Sequence, residues 1–575
     1  MSAKRLGVFV CHCGGNISDS VDVEQVRAAA AAETGVAIAR TFQFACSDAA
    51  QQEMMEAVRQ EHLEGIVIAS CSPKLHLETF RSMAHRASLN PYLYTQVNIR
   101  EQCSWAHRRD RDGATGKAIA LVRAGIARAA LGKPLDDICV ETVPSVLVIG
   151  AGPAGMRAAL ALASTGLNVY LAEREAEPGG RIRKWGKLFP SDRAGADLAA
   201  DLLEQVRGRD NINLYTRTEV VEKTGSAGRF TVKVRSGEEI FSLQVGAIIT
   251  ATGFDTYSPP PGEFGRGLPG VLTLPEFKGL LAAGDGRICV DGREVRTIAY
   301  IYCVGSRQAA AGDDQNRRAY CSRYCCTATV HSAIEAHRID PTINQYHIYR
   351  DMRTYGKHEL LYEEAGRKGS VFVRYSEAPV VEKDSSGLVV RVRDELDGGN
   401  TLEIPADLLV LVTGMVPREN TRLLEALKLP VDAGGFFNEI HPKLRPVETV
   451  VDGVFIAGAA QGPKTLAESV TSSLAAAAKC SALLLKGHVD RQPIVAAVNP
   501  QACAWCGECA QACPYEGAIM QVEREGKQVA EVHAELCKGC GACVSVCPSE
   551  SIELDGYTSA QVTAMIDALA VEVAR

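Results

Sequence analysis

Two runs near the C-terminus repeat one spacing of thiols, Cys503-x2-Cys506-x2-Cys509-x3-Cys513-Pro514 and Cys537-x2-Cys540-x2-Cys543-x3-Cys547-Pro548. Three thiolates at this close spacing hold one [4Fe–4S] cube, and the fourth, set before a proline, reaches across to the neighbouring cube. The spacing therefore predicts one cluster on Cys503, Cys506, Cys509 and Cys547, and a second on Cys537, Cys540, Cys543 and Cys513. CxxC pairs also bind zinc through four thiolates. A zinc site, however, has no use for the third cysteine at x2 or the fourth before proline. The chemistry expected of this segment is transfer of single electrons.

A different chemistry is written in Val146-Leu-Val-Ile-Gly150-Ala-Gly152-Pro153-Ala154-Gly155, an apolar strand entering a G-x-G-x-x-G turn and an Ala-rich helix. Gly150 makes the tight turn, Gly152 lets backbone N–H groups approach a pyrophosphate, and Gly155 permits close helix–strand packing; the helix N-terminus favours the anion. Asn168–Ala172 is the next strand, and Glu173 ends it where a ribose hydroxyl is read. Three later signals favour FAD over an NAD-only domain. They are Glu177-Pro-Gly179-Gly180-Arg181, the strand-plus-glycine runs ending at Thr252-Gly253 and Thr413-Gly414, and Gly453-Val-Phe-Ile-Ala457-Gly458-Ala459 before a helix opening near Thr465. These parts resemble a two-dinucleotide-domain flavoprotein of the thioredoxin-reductase type. The resemblance implies that the last Gly-Ala stretch and its helix approach the flavin ring, where a positive helix end would stabilise reduced flavin. It implies an FAD contact set of Gly150, Gly152, Pro153, Ala154, Gly155, Glu173, Arg174, Gly180, Arg181, Val221, Thr252, Gly253, Gly458, Ala459, Lys464 and Thr465.

Where such a protein carries a second nucleotide unit, the strand Thr297–Cys303 runs into Val-Gly305-Ser-Arg307 with no second G-x-G-x-x-G. A pyrophosphate has no evident cradle there, and Cys303, Cys321, Cys325 and Cys326 stand in its place. Cys321 and Cys325 share a face if the stretch is helical. A cluster in place of a nicotinamide site is the expectation, against scattered core thiols. At the other end, Cys11 and Cys13 follow the first strand, Cys46 the second and Cys71 the third, with Cys103 beyond the fourth. A parallel sheet would deliver all five to the edge where α/β folds bind ligands, which points to a further [4Fe–4S] cluster. Separate thiols or one redox disulfide are the alternative. Spacing leaves the four ligands open, with Cys11 or Cys13 as the spare. Cys139, Cys289 and Cys480 read as structural.

The elements that must position these groups fall into three blocks of an α/β chain of 575 residues. Residues 1–140 read as an α/β cluster-binding domain with strands at Leu6–Val10, Ala37–Phe44, Gly65–Ala69 and Tyr92–Val97. Residues 141–495 read as the two-dinucleotide-domain FAD fold, its central subdomain at about 292–400. Residues 496–575 read as a two-cluster, ferredoxin-like module closed by a helix from Thr558 to Val573, with Val562, Met565, Ile566, Leu569 and Val573 on one stripe. A net charge of −7 gives no basic surface for nucleic acid. The longest apolar run, Ser473–Leu485, is too short to span a bilayer and is interrupted by Lys479. Twenty cysteines in ligand-like groups and no signal-peptide plan point to a reducing cytoplasm.

Five motifs, Cys303-Val-Gly-Ser-Arg307, Cys321-Ser-Arg-Tyr-Cys325-Cys326, Cys11-His-Cys13-Gly-Gly-Asn16-Ile17, Cys71-Ser-Pro-Lys-Leu-His76 and Asn98-Ile-Arg-Glu-Gln-Cys103-Ser-Trp105, resemble the A-type subunits of heterodisulfide reductase, an iron–sulfur flavoprotein family. The likeness runs through all three blocks. It implies a [4Fe–4S] cluster on the central four cysteines beside FAD, and a role as the FAD subunit of a cytoplasmic complex that bifurcates electrons in some members. Implied partners are heterodisulfide reductase B/C-like subunits, a hydrogenase- or formate-dehydrogenase-type donor, and ferredoxin; membrane contact would come through partners, and a homodimer within the complex is compatible. Two departures stand out. The additional inserted ferredoxin module of the methanogen subunits is missing, and His331 stands where family members often have a lysine five residues after the Cys pair. His331 is then a candidate for tuning the flavin, or an ordinary helix-surface residue. No triad or acid–base pair marks a conventional catalytic residue. FAD is the natural exchange point between electron pairs and single electrons. Two other readings stay open: an NAD(P)H-oxidising flavoenzyme resembling the small subunit of glutamate synthase, and a passive electron-relay scaffold.

Overall fold

A computed structural model describes residues 4–284, 286–308, 317–383 and 387–570. The first block alternates β1 (Leu6–Cys11), α1 (Val23–Ala31), β2 (Val36–Phe42), α2 (Asp48–Gln60), β3 (Gly65–Ser70), α3 (Pro73–Arg86), β4 (Tyr94–Asn98) and α4 (Arg111–Ala130). Its strands pair in parallel in the order β2-β1-β3-β4. β1 and β3 are buried along their whole length, as continuous apolar runs require when helices cover both faces. Gly125 lets α4 lie close on the sheet, since a Cβ there would meet the Val97 side chain at 2.5 Å.

The second block contains two halves of similar plan. In the first, α5 (Pro153–Ser164) and α6 (Gly195–Arg207) accompany a five-stranded parallel sheet ordered 212–215, 168–172, 145–149, 247–250, 454–456. A three-stranded antiparallel meander, 218–226, 229–236 and 239–245, is attached to it. In the second, α7 (Leu274–Ala283), α8 (Cys325–Ile339) and α9 (Glu359–Arg367) accompany strands ordered 271–273, 408–413, 297–304, 344–349, 371–374, again parallel, with a second meander at 380–383, 388–393 and 401–406. The chain returns through α10 (Thr421–Leu427) to the first sheet and then to α11 (Leu466–Leu484). Thr465 caps α11, taking the Glu468 N–H while the Glu468 carboxylate takes the Thr465 N–H at 2.8 Å. That reciprocal cap is the reason the helix starts where the sequence places it.

The last block pairs Ala496–Val498 with Ile552–Leu554 and Ile519–Arg524 with Lys527–Val532, both antiparallel. Between them stand the short helices α12 (Glu508–Ala512) and α13 (Ala542–Ser545), each opened by a left-handed glycine, Gly507 and Gly541. Helix α14 (Ser559–Ala570) follows; Val573 lies outside the described residues. The first and last blocks form one compact unit, residues 1–139 with 490–575, and residues 140–489 form the other. Arg128 on α4 joins the first unit internally. Its guanidinium sits 3.9 Å from the Tyr557 ring centroid and donates to the Gly556 carbonyl at 3.0 Å. The expected apolar stripe of α14 faces outward instead: Val562, Ile566 and Leu569 are exposed, and Gln561 is the buried residue against α4. Among the described residues no helix is long and apolar enough to cross a membrane.

Candidate functional site

Strand 145–149 delivers Gly150 with φ 103°, and a Cβ there would meet the Ala251 carbonyl oxygen at 2.5 Å. Gly155, one turn into α5, would place a Cβ 1.8 Å from the Gly150 carbonyl oxygen, so helix and strand approach at backbone distance. Gly152 caps α5, with the Gly180 Cα 4.0 Å from where its Cβ would stand, and leaves the helix's N-terminal N–H groups for an anion. Glu173 is buried and accepts from the Ala151 N–H at 2.7 Å and the Glu175 N–H at 2.9 Å. It ties the glycine turn to the second strand, and a carboxylate so engaged keeps lone pairs for a ribose hydroxyl.

From this turn a cavity of about 620 Å³ runs through the unit. It is lined by Gly150, Gly152, Pro153, Ala154, Glu173, Gly180, Arg181, Thr252, Gly253, Ala459, Lys464 and Thr465 of the expected FAD set. Gly155 and Gly458 shape it from behind, Gly458 N–H donating to Ser472 Oγ at 2.7 Å. Arg174 and Val221 do not line it; Arg174 pairs with Glu175 at 4.0 Å and Val221 is exposed on the first meander. The cavity also takes Tyr324, which lies within the Cys321–Cys326 motif, and Trp185, Phe189, Lys278 and Arg418, none of which a sequence motif marks. Asp255 holds both Arg181 and Arg418, and their charges, against its burial, keep its carboxyl below the usual range. A cavity lined by a glycine turn, a buried acid and the α11 N-terminus fits FAD.

In the second half the turn after strand 297–304 is followed by residues 305–324 before α8 begins, whereas only 150–152 separate strand and helix in the first half. Cys321 lies in that connection, outside the helix, so the shared helix face expected for Cys321 and Cys325 is not formed; α8 opens at Cys325. The thiols are nonetheless brought together, with Cys303 and Cys321 neighbouring the buried Cys325–Cys326 pair. Cys303, Arg307 and Arg323 all have φ between 53° and 63°, a strained backbone gathered at one place. Burial pushes the Cys303 thiol to about 11, with the Arg307 guanidinium 3.9 Å away opposing it. In the coupled pair, Cys326 is the thiol biased toward thiolate, by the Cys325 S–H, the Arg353 N–H and the charges of Arg307 and Arg353. His331 is buried rather than on the helix surface. Its Nε2 meets Asp192 at 2.6 Å, and burial holds its pKa below the usual value.

At the C-terminal edge of the first sheet, Cys11, Cys13, Cys46 and Cys71 are electrostatic neighbours. Cys11 ends β1 and Cys71 follows β3, the adjacent strands on either side of the point where strand order reverses. Cys103 stands apart: it is fully buried, pushed to about 11 by that burial, and its one charged neighbour is Lys117. Arg100 donates to Cys13 Sγ at 3.4 Å and stacks over Trp105 at 4.7 Å. It sits within the Asn98–Trp105 motif, but its role is unreadable there without the partner thiol.

In the last block Cys513, Cys537, Cys540 and Cys543 line one small cavity, the crosswise set expected from the spacing. Cys509 has Cys506 and Cys503 beside it. Burial raises Cys547, yet hydrogen bonds from Ser551 and Ser549 bring its thiol down to about 7, suited to an anionic ligand. Among the described residues no three of these cysteines place their sulfurs within 4.8 Å of one another. A single zinc with Zn–S near 2.3 Å needs a tighter tetrahedron, whereas an iron–sulfur cube separates its ligands further. Of the three remaining thiols, Cys480 is fully buried, and Cys139 and Cys289 are exposed.

Two regions of the chain match known protein families. The 4Fe-4S dicluster domain matches residues 496–554, and the pyridine nucleotide-disulphide oxidoreductase family matches residues 144–296. The second of two iron–sulfur A subunits of the CoB–CoM heterodisulfide reductase of Methanopyrus kandleri is 37% identical, over 91% of this chain and 92% of its own. The A subunit of the H(2)/formate:CoB-CoM heterodisulfide,ferredoxin reductase of Methanococcus maripaludis is 34% identical over 99% of each. Among solved structures, Lactococcus lactis thioredoxin reductase covers 60% of this chain and 99% of its own, at 19% identity and a TM-score of 0.42.

Proposed function

The chain belongs to the family of heterodisulfide reductase iron–sulfur A subunits, and from that premise we propose that it exchanges electron pairs at FAD for single electrons on [4Fe–4S] clusters inside a multi-subunit complex. It is an iron–sulfur flavoprotein oxidoreductase. The observation that carries the finer reading is the four-cysteine group at the start of α8. Tyr324 and Ala328, which bracket Cys325 and Cys326, both line the FAD cavity. A cluster held there would adjoin the flavin, in the position where a hydride donor's pyrophosphate would otherwise need a cradle.

FAD, when bound, supplies the step between two-electron and one-electron chemistry. The chain's own residues hold and insulate it. The α5 N-terminus and Gly152 receive the pyrophosphate, Glu173 the ribose, and the α11 N-terminus offers its positive end to the ring. The proposed ligand sets are Cys303, Cys321, Cys325 and Cys326 in the centre, the two crosswise sets of the last block, and Cys11, Cys13, Cys46 and Cys71 in the first. The names of the relatives point to a hydrogen- or formate-derived donor and to ferredoxin and a heterodisulfide as acceptors.

Purification of the native complex with iron and flavin counted, followed by stopped-flow reduction, tests this reading. The expected result is that NADH and NADPH alone leave the flavin oxidised, while a donor subunit bleaches it and reduces the clusters. Rapid bleaching by either nucleotide alone would return the NAD(P)H-oxidising reading. A flavin that stays oxidised while the clusters cycle would leave a passive relay. Offering a high-potential and a low-potential acceptor together separates a bifurcating flavin, which reduces both in equal amounts, from a single-path one.

A further inference from the structure

Lys278 is a lysine where lysines are costly. It lies on α7, only 3% exposed, in the wall of the cavity. Its ammonium has one hydrogen-bond acceptor, Ser332 Oγ at 3.3 Å. Among the described residues no carboxylate is within ion-pairing distance of it. The two acids that face it are already engaged: Glu335 with Lys187 at 3.4 Å, and Asp192 with His331 at 2.6 Å and Arg338 at 3.0 Å. A buried cation with so little compensation is costly to desolvate unless an anion joins it. No described residue pairs with it directly, so the missing partner belongs in the cavity.

The position of Lys278 selects which part of a bound flavin that partner is. The pyrophosphate end is fixed by Gly150, Gly152 and the α5 N-terminus. Lys278 comes from the opposite half, sharing its wall with Tyr324 and Ala328 beside the four-cysteine group. We propose that Lys278 is the flavin-facing cation of this chain, binding the negative charge that reduction places on the ring. The assignment rests on the FAD reading of the cavity. It also gives α8 a second role, since the helix that offers Cys325 and Cys326 at its start holds the lysine through Ser332 further along. Desolvation depresses the ammonium to about 8, with Glu335 and Asp192 opposing, so it remains mostly charged at neutral pH. His331, by contrast, has its pKa lowered by burial, against Asp192, and is committed to that carboxylate.

Sulfite addition to the oxidised flavin tests the assignment, because the adduct places a negative charge on the ring. In the FAD-loaded protein, Lys278→Met is expected to weaken sulfite binding about tenfold or more and to lower the flavin reduction potential in a dye-coupled titration. Lys278→Arg, which keeps the charge, should restore both toward wild type. Should the methionine variant fail to retain FAD, Lys278→Gln gives the same contrast with a polar end. Unchanged sulfite affinity and potential in an FAD-loaded neutral variant would overturn the assignment. A wild-type protein that binds no FAD would instead overturn the reading of the cavity.

Discussion

At the scale of single residues, a ligand set is a statement about which thiols can reach one another. Cys11 and Cys13 each neighbour both Cys46 and Cys71, and Cys103 is sealed away near Lys117. Cys71→Ala is therefore expected to abolish the spectroscopic signature of the proposed N-terminal cluster, and Cys103→Ala to leave it intact; low-temperature EPR of the reduced proteins reads both. Spacing could not have chosen between the five, because the thiols come from different strand ends. Glu173 carries a second expectation. Replacement by Ala strands the buried N–H of Ala151 and frees that of Glu175, at about 1–3 kcal/mol for each group left unsatisfied. Loss of bound FAD together with a lowered unfolding midpoint is the expected outcome; a variant retaining full FAD and stability would remove Glu173 from the site.

At the scale of elements, the second sheet of the flavin unit contains a titratable clamp. His347 is stacked between Tyr300 and Phe372, at 4.6 and 4.5 Å, and meets the Tyr302 hydroxyl at 2.8 Å. Burial depresses its pKa from 6.5 to about 3. The unfolded chain takes up a proton below pH 6.5 that the folded chain refuses. Stability from this group is thus complete above pH 6.5 and is lost as pH falls toward 3, at about 1.4 kcal/mol per pH unit. His347→Phe keeps the stack and should flatten that part of the stability–pH curve in denaturant titrations. It should also cost about 1 kcal/mol at neutral pH by removing the imidazole partner of the Tyr302 hydroxyl. An unchanged slope would show that the acid sensitivity resides elsewhere. No local motif marks the His347 strand, whereas Ser145–Ile149, Asn168–Ala172 and the Thr465 cap are readable because their signals are local.

At the scale of the molecule, the first and last blocks of the sequence form one unit, and Arg128 is a principal tie within it. Arg128→Ala removes the stack on Tyr557 and the bond to the Gly556 carbonyl, a loss of about 2–3 kcal/mol. Faster hydrogen exchange in α4 and α14, with the two-cluster module otherwise intact, is the expected result; unchanged exchange would show that other contacts suffice. The sequence alone determined the chemistry: cluster thiols at fixed short spacing, and a glycine turn whose strand, helix and acid follow one another in order. Each of those signals is read within a few dozen residues, so no long-range contact is needed to interpret it. Tertiary structure alone decided which dispersed groups share a site. It set Cys303 and Cys321 beside Cys325 and Cys326, dropped Cys103 from the N-terminal group, turned the α14 stripe outward, and sank Lys278 unpaired into the flavin cavity. Burial and partnership are properties of packing between distant segments, and neither is encoded in the spacing of one.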